Sequence, residues 1–325
     1  MLLACFDIGS NALRYLIAEW REGKLVERYI GGEITAASDA INEMGEIEVG
    51  SLTQTVMALK RFVSLAKAAG AVPICALATA VFREARNASY VIEKLESDIG
   101  VPIICLSQVA EARLGFISAI SAMTGIGETS MDSIAFADVG GRSTELVIGD
   151  AFGNVHSVYG LSIGSRKLTR DFITAYPIPY DERLRLHSFI QRELSPYMDI
   201  MRAAGHLIVS GGTAVALAML ANNTVSFSTD VLHGTALRRS YLTSVLEMLG
   251  TMSLKDCEAL LNFEPKRAPV FYAGVAIIDS LVRIGGFNSA LVSAKCLMHG
   301  ALEKLLKLQV DLTSRDEIAK ALNEV

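Results

Sequence analysis

A chain of 325 residues exceeds what one hydrophobic core usually serves, since single cores stop growing near roughly 250 to 300 residues, so two domains are expected. With 51% hydrophobic and 20% charged residues it has ample apolar material to bury, which excludes disordered and fibrous classes. A formal net charge of −5 argues against a nucleic-acid-binding surface, while Arg166-Lys167, Arg238-Arg239 and Lys266-Arg267 keep a restricted anion site open.

No apolar run approaches the ~20 residues of a bilayer-spanning helix. Asp7 follows the apolar start too soon for a signal peptide, so a cytoplasmic protein without a membrane partner is expected. The cysteines Cys5, Cys75, Cys105, Cys257 and Cys296 are scattered, without CxxC spacing, and read as buried reduced thiols. The histidines show no paired ligand spacing, so any metal should be held by oxygen.

In chain order, the apolar runs Leu2 to Phe6, Leu13 to Trp20 and Leu25 to Ile30, with Glu22-Gly23 as a turn, predict three antiparallel strands. Leu52, Val56, Leu59, Phe62, Val63 and Ala66 recur at helical spacing. A strand follows at Pro73 to Ala78, a helix at Ser89 to Ile99, a strand at Val101 to Leu106 and a helix at Ala110 to Met123, giving βββαβαβα. After the polar stretch Thr124 to Ser130 the pattern restarts. Strands are predicted at Ser133 to Ala137, Thr144 to Ile148 and Val155 to Tyr159, then helices, the strand His206 to Val209 and the helix Thr213 to Ala221. The expected domains are 1–124 and 125–325, with a last helix at about 300–325 able to pack back on the first.

Both first strands end in Asp followed by a Gly-containing turn. In parallel α/β sheets ligands bind beyond the carboxyl ends of strands, so two such halves predict an interdomain cleft lined by Asp7 and Asp138. In Asp7-Ile8-Gly9-Ser10-Asn11 the glycine lets backbone N–H groups approach an oxyanion, and the carboxylate can hold hydrated Mg²⁺. Alone, that pattern is usually just a turn. Its recurrence as Asp138-Val139-Gly140-Gly141-Arg142-Ser143-Thr144-Glu145 strengthens a phosphate-site reading. Ser210-Gly211-Gly212-Thr213, between a strand and a helix, would offer helix-start N–H groups to an anion. Glu111 falls in the first turn of a helix, ordinarily a helix-dipole position, and Arg83 on a loop after a strand, where a solvated arginine is the default.

These five segments, in this order, resemble the exopolyphosphatase / guanosine pentaphosphate phosphohydrolase (Ppx/GppA) family. The resemblance rests on DIGSN, ATAVFREARN, EARL and above all DVGGRSTELVIG, and covers nearly the whole chain. It implies two RNase H-like domains of the actin and sugar-kinase type and, at this length, the short two-domain form. By the same resemblance, Glu111 would position or deprotonate the water attacking the terminal phosphorus, and Asp138 with Glu145 would assist with Mg²⁺ and water. Asp7, Gly9, Ser10, Asn11, Arg83, Gly140, Gly141, Arg142, Ser143, Thr144, Gly211, Gly212 and Thr213 would hold phosphate oxygens. The implied substrates are polyphosphate or guanosine pentaphosphate, and a homodimer is the expected assembly.

The sequence also departs from the family. Arg142 replaces the third glycine of the usual DxGGGS turn, Cys296-Leu297-Met298-His299-Gly300 stands where Gly-Leu-Arg-Glu-Gly is usual, and Ala36 stands where an arginine is common. Gln108 and Ala110 differ from the usual Gly and Glu. The leading expectation is a hydrolase acting on phosphoanhydride bonds. The alternative, motivated by the lost cations, is a non-catalytic phosphate- or nucleotide-binding regulatory protein of the same fold. A sugar or acid kinase is disfavoured by the EARL and ATAVFREARN segments.

Overall fold

The structure is a computed structural model that describes residues 1–10, 12–35, 37–120 and 133–324. Asn11, Ala36, the end of the predicted helix at Met123 and the expected boundary at 124/125 lie outside the described residues. The chain divides into two compact units, Met1–Leu114 with Leu297–Val325, and Gly115–Cys296.

In the first unit, β1 (Leu2–Ile8), β2 (Ala12–Arg21) and β3 (Lys24–Ile34) form an antiparallel meander. Glu22 and Gly23, with φ of 52° and 75°, close the second hairpin between Arg21 and Lys24, the left-handed pair that a two-residue turn requires. From Leu3 onward every residue of β1 is buried, as its apolar run predicts for a strand covered on both faces. Helix α1 (Thr53–Ala68) buries Ala58, Leu59, Val63 and Ala66 at helical spacing. Then come β4 (Val72–Ala78), α2 (Ala80–Glu84), α3 (Ala88–Ile99), β5 (Ile103–Cys105) and α4 (Gln108–Ala119). β4 runs parallel to β1 and β5 parallel to β4, so the sheet order is β3-β2-β1-β4-β5. Helix α2 corrects the sequence reading at Arg83, which stands in a short helix rather than a loop.

The second unit opens with a like meander, β6 (Ile134–Val139), β7 (Thr144–Gly149) and β8 (Val155–Leu161). Three helices follow, α5 (Ser165–Phe172), α6 (Tyr180–Leu194) and α7 (Met198–Arg202). Next are β9 (His206–Ser210), α8 (Gly212–Ala221), α9 (Thr229–Leu232) and β10 (Ala236–Arg238). The unit ends with α10 (Arg239–Thr251), α11 (Leu254–Leu260), α12 (Ala268–Ile284) and β11 (Ser289–Val292). Its sheet order is β10-β11-β9-β6-β7-β8. Taken from β8, that is the order of the first sheet with one antiparallel strand added outside β11. Both sheets therefore have the RNase H-like α/β arrangement. Helix α12 buries 14 of its residues and forms the spine of this unit's core.

The chain closes with α13 (Leu297–Lys307) and α14 (Arg315–Asn323), which join the first unit. Helix α13 packs on β1, β2 and β3, with His299 Nε2 3.0 Å from Glu27 Oε2. Arg315 of α14 donates to Glu96 Oε1 at 2.9 Å. All five cysteines are free of disulfides, Cys5, Cys75 and Cys257 buried and Cys105 and Cys296 half-buried. Among the described residues no helix is long and apolar enough to cross a membrane.

Candidate functional site

In the first unit the parallel register aligns the carboxyl ends of three strands. Ile8 lies beside Ala78, and Ala78 beside Cys105, so whatever follows β1, β4 and β5 leaves from one edge. Asp7 near the end of β1 and Ser10 just beyond it are nearly buried, and the Gly9 N–H donates to Ala12 O at 3.1 Å, closing the turn. After β4, α2 carries Arg83. After β5, Ser107 starts α4: its hydroxyl accepts from the Ala110 N–H at 3.1 Å and its carbonyl from the Glu111 N–H at 2.9 Å. Glu111 is thereby fixed in the first turn of α4.

Arg83 Nη1 donates both to Glu111 Oε2 at 2.5 Å and to Leu106 O at 3.1 Å. The two side chains are 19% and 13% exposed, so this ion pair is shielded far better than a surface pair. The guanidinium thus orients the carboxylate. One terminal nitrogen serves both acceptors, and the planar fork has three further N–H groups with which to meet an oxyanion. Beside the pair, burial pushes the Cys105 thiol up, against the pull of Arg83.

In the second unit the β6–β7 turn repeats the β1–β2 turn, with the Gly140 N–H donating to Ser143 O at 3.0 Å. The two hairpins differ in charge at the aspartate rung. Asp7 lies across the ladder from Arg14, whereas Asp138 lies across from Glu145. Directly opposed residues share a sheet face, and two opposed carboxylates repel. A cation relieves that repulsion. Glu145 is 3% exposed and accepts from the Ser143 hydroxyl at 2.8 Å. An all-oxygen pair of this kind fits Mg²⁺, which takes one or two carboxylates and keeps its waters. Among the described residues no cluster of three His, Cys, Asp or Glu is gathered as a metal site.

The turn itself rests on the start of α5. Gly140 O accepts from the Ser165 N–H and Gly141 O from the Arg166 and Lys167 N–H groups, at 2.9 to 3.1 Å. In a planar trans peptide the N–H opposes the C=O, so the N–H groups of Gly141 and Arg142 are directed away from α5. Successive N–H groups turned one way form the concavity that holds anions. Thr144 is fully buried and its hydroxyl donates to Ile163 O at 2.7 Å, which commits that side chain to the fold.

Asp138 also lies beside Ser210 in the parallel ladder, which brings the Gly211-Gly212-Thr213 turn next to it. Gly211 has φ of +99°, and a Cβ there would stand 2.4 Å from Val139 O, so only glycine fits. Helix α8 starts at the next residue, presenting its first N–H groups. Sequence reasoning missed one side chain that packs on this turn. The Arg267 guanidinium lies against Gly212, 2.3 Å from where a Cβ would be, with its side chain 7% exposed and its Nε donating to Glu264 at 2.5 Å. Its signal was a charge immediately before the apolar run of α12, noted only as a local basic group. Thr213 is 1% exposed against Gly274 and contributes its place in the chain.

A profile of the Ppx/GppA phosphatase family matches residues 31–308. The chain belongs to that family. The family expected from the motifs and the enzyme class, a hydrolase acting on phosphoanhydride bonds, are borne out. The chain is 25% identical to exopolyphosphatase 1 of Mycobacterium leprae over 97% of its own length and 92% of the relative's. It is 24% identical to a bifunctional 3-dehydroquinate synthase/phosphatase of Fusobacterium nucleatum over 93% of its own length, but spans only 46% of that longer relative. Among solved structures, a Ppx/GppA family member of Aquifex aeolicus superposes with a TM-score of 0.80 at 25% identity, covering 95% of this chain and 98% of the other. An exopolyphosphatase of Cytophaga hutchinsonii, 18% identical, shares the fold with a TM-score of 0.83 over 97% of this chain and 100% of its own.

Proposed function

We propose that this Ppx/GppA member releases terminal phosphate from inorganic polyphosphate, with guanosine pentaphosphate as a second substrate of the same chemistry. The observation that carries this reading is the shielded Arg83–Glu111 pair at the carboxyl edge of the first sheet. Phosphoryl transfer asks little covalent chemistry of a protein; it asks for positioning and charge stabilisation. Glu111, held by Arg83 and by the start of α4, accepts a proton from the water that attacks the terminal phosphorus. Arg83 offers its remaining donors to the phosphate. Asp7, Ser10 and Asn11, the turn from Gly140 to Thr144, and Gly211 to Thr213 hold oxygens of the chain, largely through backbone N–H groups. Mg²⁺, held by Asp138 and Glu145, would neutralise phosphate charge when bound. The protein is read as a cytoplasmic homodimer, which sedimentation at several concentrations tests.

The second reading is a regulatory phosphate-binding protein without turnover. Met298, at the family's arginine position, is fully buried and supplies no cation. Phosphate release measured with Mg²⁺ on long polyphosphate, short polyphosphate and guanosine pentaphosphate side by side separates the two. Release from none of the three, with polyphosphate binding retained, would overturn the enzyme reading.

A further inference from the structure

β5 is the edge strand of the first sheet, and an edge strand leaves the N–H and C=O of every other residue turned away from its neighbour. On its inner side the Leu106 N–H donates to Ala78 O at 3.0 Å, and Leu106 O accepts from Arg83 Nη1 at 3.1 Å. On its outer side the partners are side chains. The Ile103 N–H donates to Glu96 Oε1 at 2.6 Å and Ile103 O accepts from Arg315 Nη2 at 3.4 Å, while Arg315 Nε donates to the same Glu96 oxygen at 2.9 Å. Farther along, Cys105 O accepts from Asn323 Nδ2 at 3.3 Å and the Ser107 N–H donates to Asn323 Oδ1 at 2.7 Å. Arg315 and Asn323 both stand on α14, so this helix takes the place of a neighbouring strand.

From Arg315 to Asn323 a helix rises about 12 Å, and from residue 103 to 107 a strand spans about 13 Å, so the two side chains match the length of the edge they cover. With 9 residues α14 is too short to persist unaided in water. It is fixed by burial of Ile318 and Leu322, by the Ser314 hydroxyl, which accepts from the Glu317 N–H at 3.3 Å, and by Lys304 of α13, whose Nζ donates to Glu324 O at 2.6 Å. What Asn323 holds leads straight to the candidate site. Ser107 starts α4, its hydroxyl and carbonyl accepting from the Ala110 and Glu111 N–H groups. Leu106, between the two groups that Asn323 holds, gives its carbonyl to the same Arg83 nitrogen that meets Glu111. One amide side chain thus fixes the peptide groups from which Arg83 and Glu111 are both set. Ser107 is exposed, so water can satisfy these groups in the absence of the amide, but water does not fix their place.

We propose that Asn323 is a positioning residue for the hydrolase: by clamping the peptide groups on either side of Leu106 it sets the Arg83–Glu111 pair, and α14 is the strap that carries the clamp. The inference rests on the role proposed for Glu111 and adds to it a dependence on the C-terminal helix. The effect is on geometry and not on folding, because the lost hydrogen bonds pass to water while Ile318 and Leu322 still hold the helix.

The test compares Asn323→Leu, which loses both hydrogen bonds, with Asn323→Asp, which keeps an acceptor for the Ser107 N–H, by amide hydrogen exchange over residues 105–111 and by phosphate release from polyphosphate with Mg²⁺. In Asn323→Leu the amides of Ser107, Ala110 and Glu111 should exchange at least about tenfold faster, with the melting temperature nearly unchanged. Its kcat should fall at least about tenfold, since a small misplacement of a reacting group costs that much or more, and KM should change less. Asn323→Asp should lie between this variant and wild type in both measurements. On the residual turnover of Glu111→Gln, adding Asn323→Leu should have less than about a twofold effect, because two residues that act on one step are not additive. Unchanged exchange in Asn323→Leu, faster exchange with wild-type kcat, or the same fall in kcat with and without Glu111 each overturns this inference alone. A wild-type protein without turnover, or Glu111→Gln with full turnover, overturns the role of Glu111 and this inference with it.

Discussion

Arg83 Nη1 lies 2.5 Å from Glu111 Oε2 although the two residues are 28 apart in sequence, and the same nitrogen holds the carbonyl of Leu106. The pair ties the segment after β4 to the segment after β5, so the carboxylate is set by two strands and not by its own helix alone. Glu111→Gln keeps the shape and one acceptor oxygen but gives up the charge. We expect turnover to fall by about 10² to 10⁴, the span of general-base loss, with little change in melting temperature. Wild-type turnover in a folded variant would remove Glu111 from the chemistry.

The β6–β7 rung makes a separate prediction. Asp138 faces Glu145, where the first unit has Asp7 facing Arg14. Without a cation the opposed carboxylates repel, by about 0.2–1 kcal/mol in exposed sheets and more when shielded. Asp138→Asn should therefore abolish the rise in melting temperature that Mg²⁺ is expected to give wild type. Wild-type hydrolysis should stop in excess EDTA and return with Mg²⁺. A variant that still gains stability from Mg²⁺ would place the ion elsewhere.

Much of this was legible in the sequence because the signals were local. The runs Leu2 to Phe6 and Ser133 to Ala137, each ending in Asp and Gly, fixed the first strand of both sheets and the turn beyond it. β10 and β11 were not legible, since three and four residues are too few to show a period amid the helices around them. Arg83 was misplaced because Ala80–Glu84 is a single helical turn, stabilised by tertiary packing of Ala80, Val81 and Phe82. Arg267 at Gly212 depends on side chains meeting from distant segments, which no spacing rule encodes.

His187 gives a pH dependence with a definite sign. Burial lowers its folded pKa below the ordinary 6.5, with Asp279 opposing and Arg283 and Arg183 reinforcing the shift. The unfolded chain therefore binds the proton more readily, and stability from this residue is full above about 6.5 and is lost as pH falls through the folded value. Carboxylates also titrate in acid, so the informative quantity is a difference. The melting temperature of wild type should fall more between pH 7 and pH 5 than that of His187→Gln. Parallel curves for the two proteins would show that His187 contributes nothing.

Arg142 decides how the β6–β7 turn meets an anion. Its backbone is packed tightly, since a Cβ on Gly164 would stand 2.4 Å from Arg142 C, and the carbonyls of Gly140 and Gly141 are held by the start of α5. The turn is therefore pinned to the start of α5 even with an arginine where the family has glycine. A guanidinium at that position can reinforce the backbone donors with a charge-assisted fork, offsetting the cation absent at Met298. Arg142→Gly should then raise KM for polyphosphate about tenfold, the equivalent of one charged hydrogen bond of ~1.4 kcal/mol, while kcat changes less. Arg142→Lys should recover part of the loss, because a point charge replaces the fork. If Arg142→Gly instead lowers KM and raises kcat, the arginine is an obstruction and the family's glycine turn is the better phosphate loop.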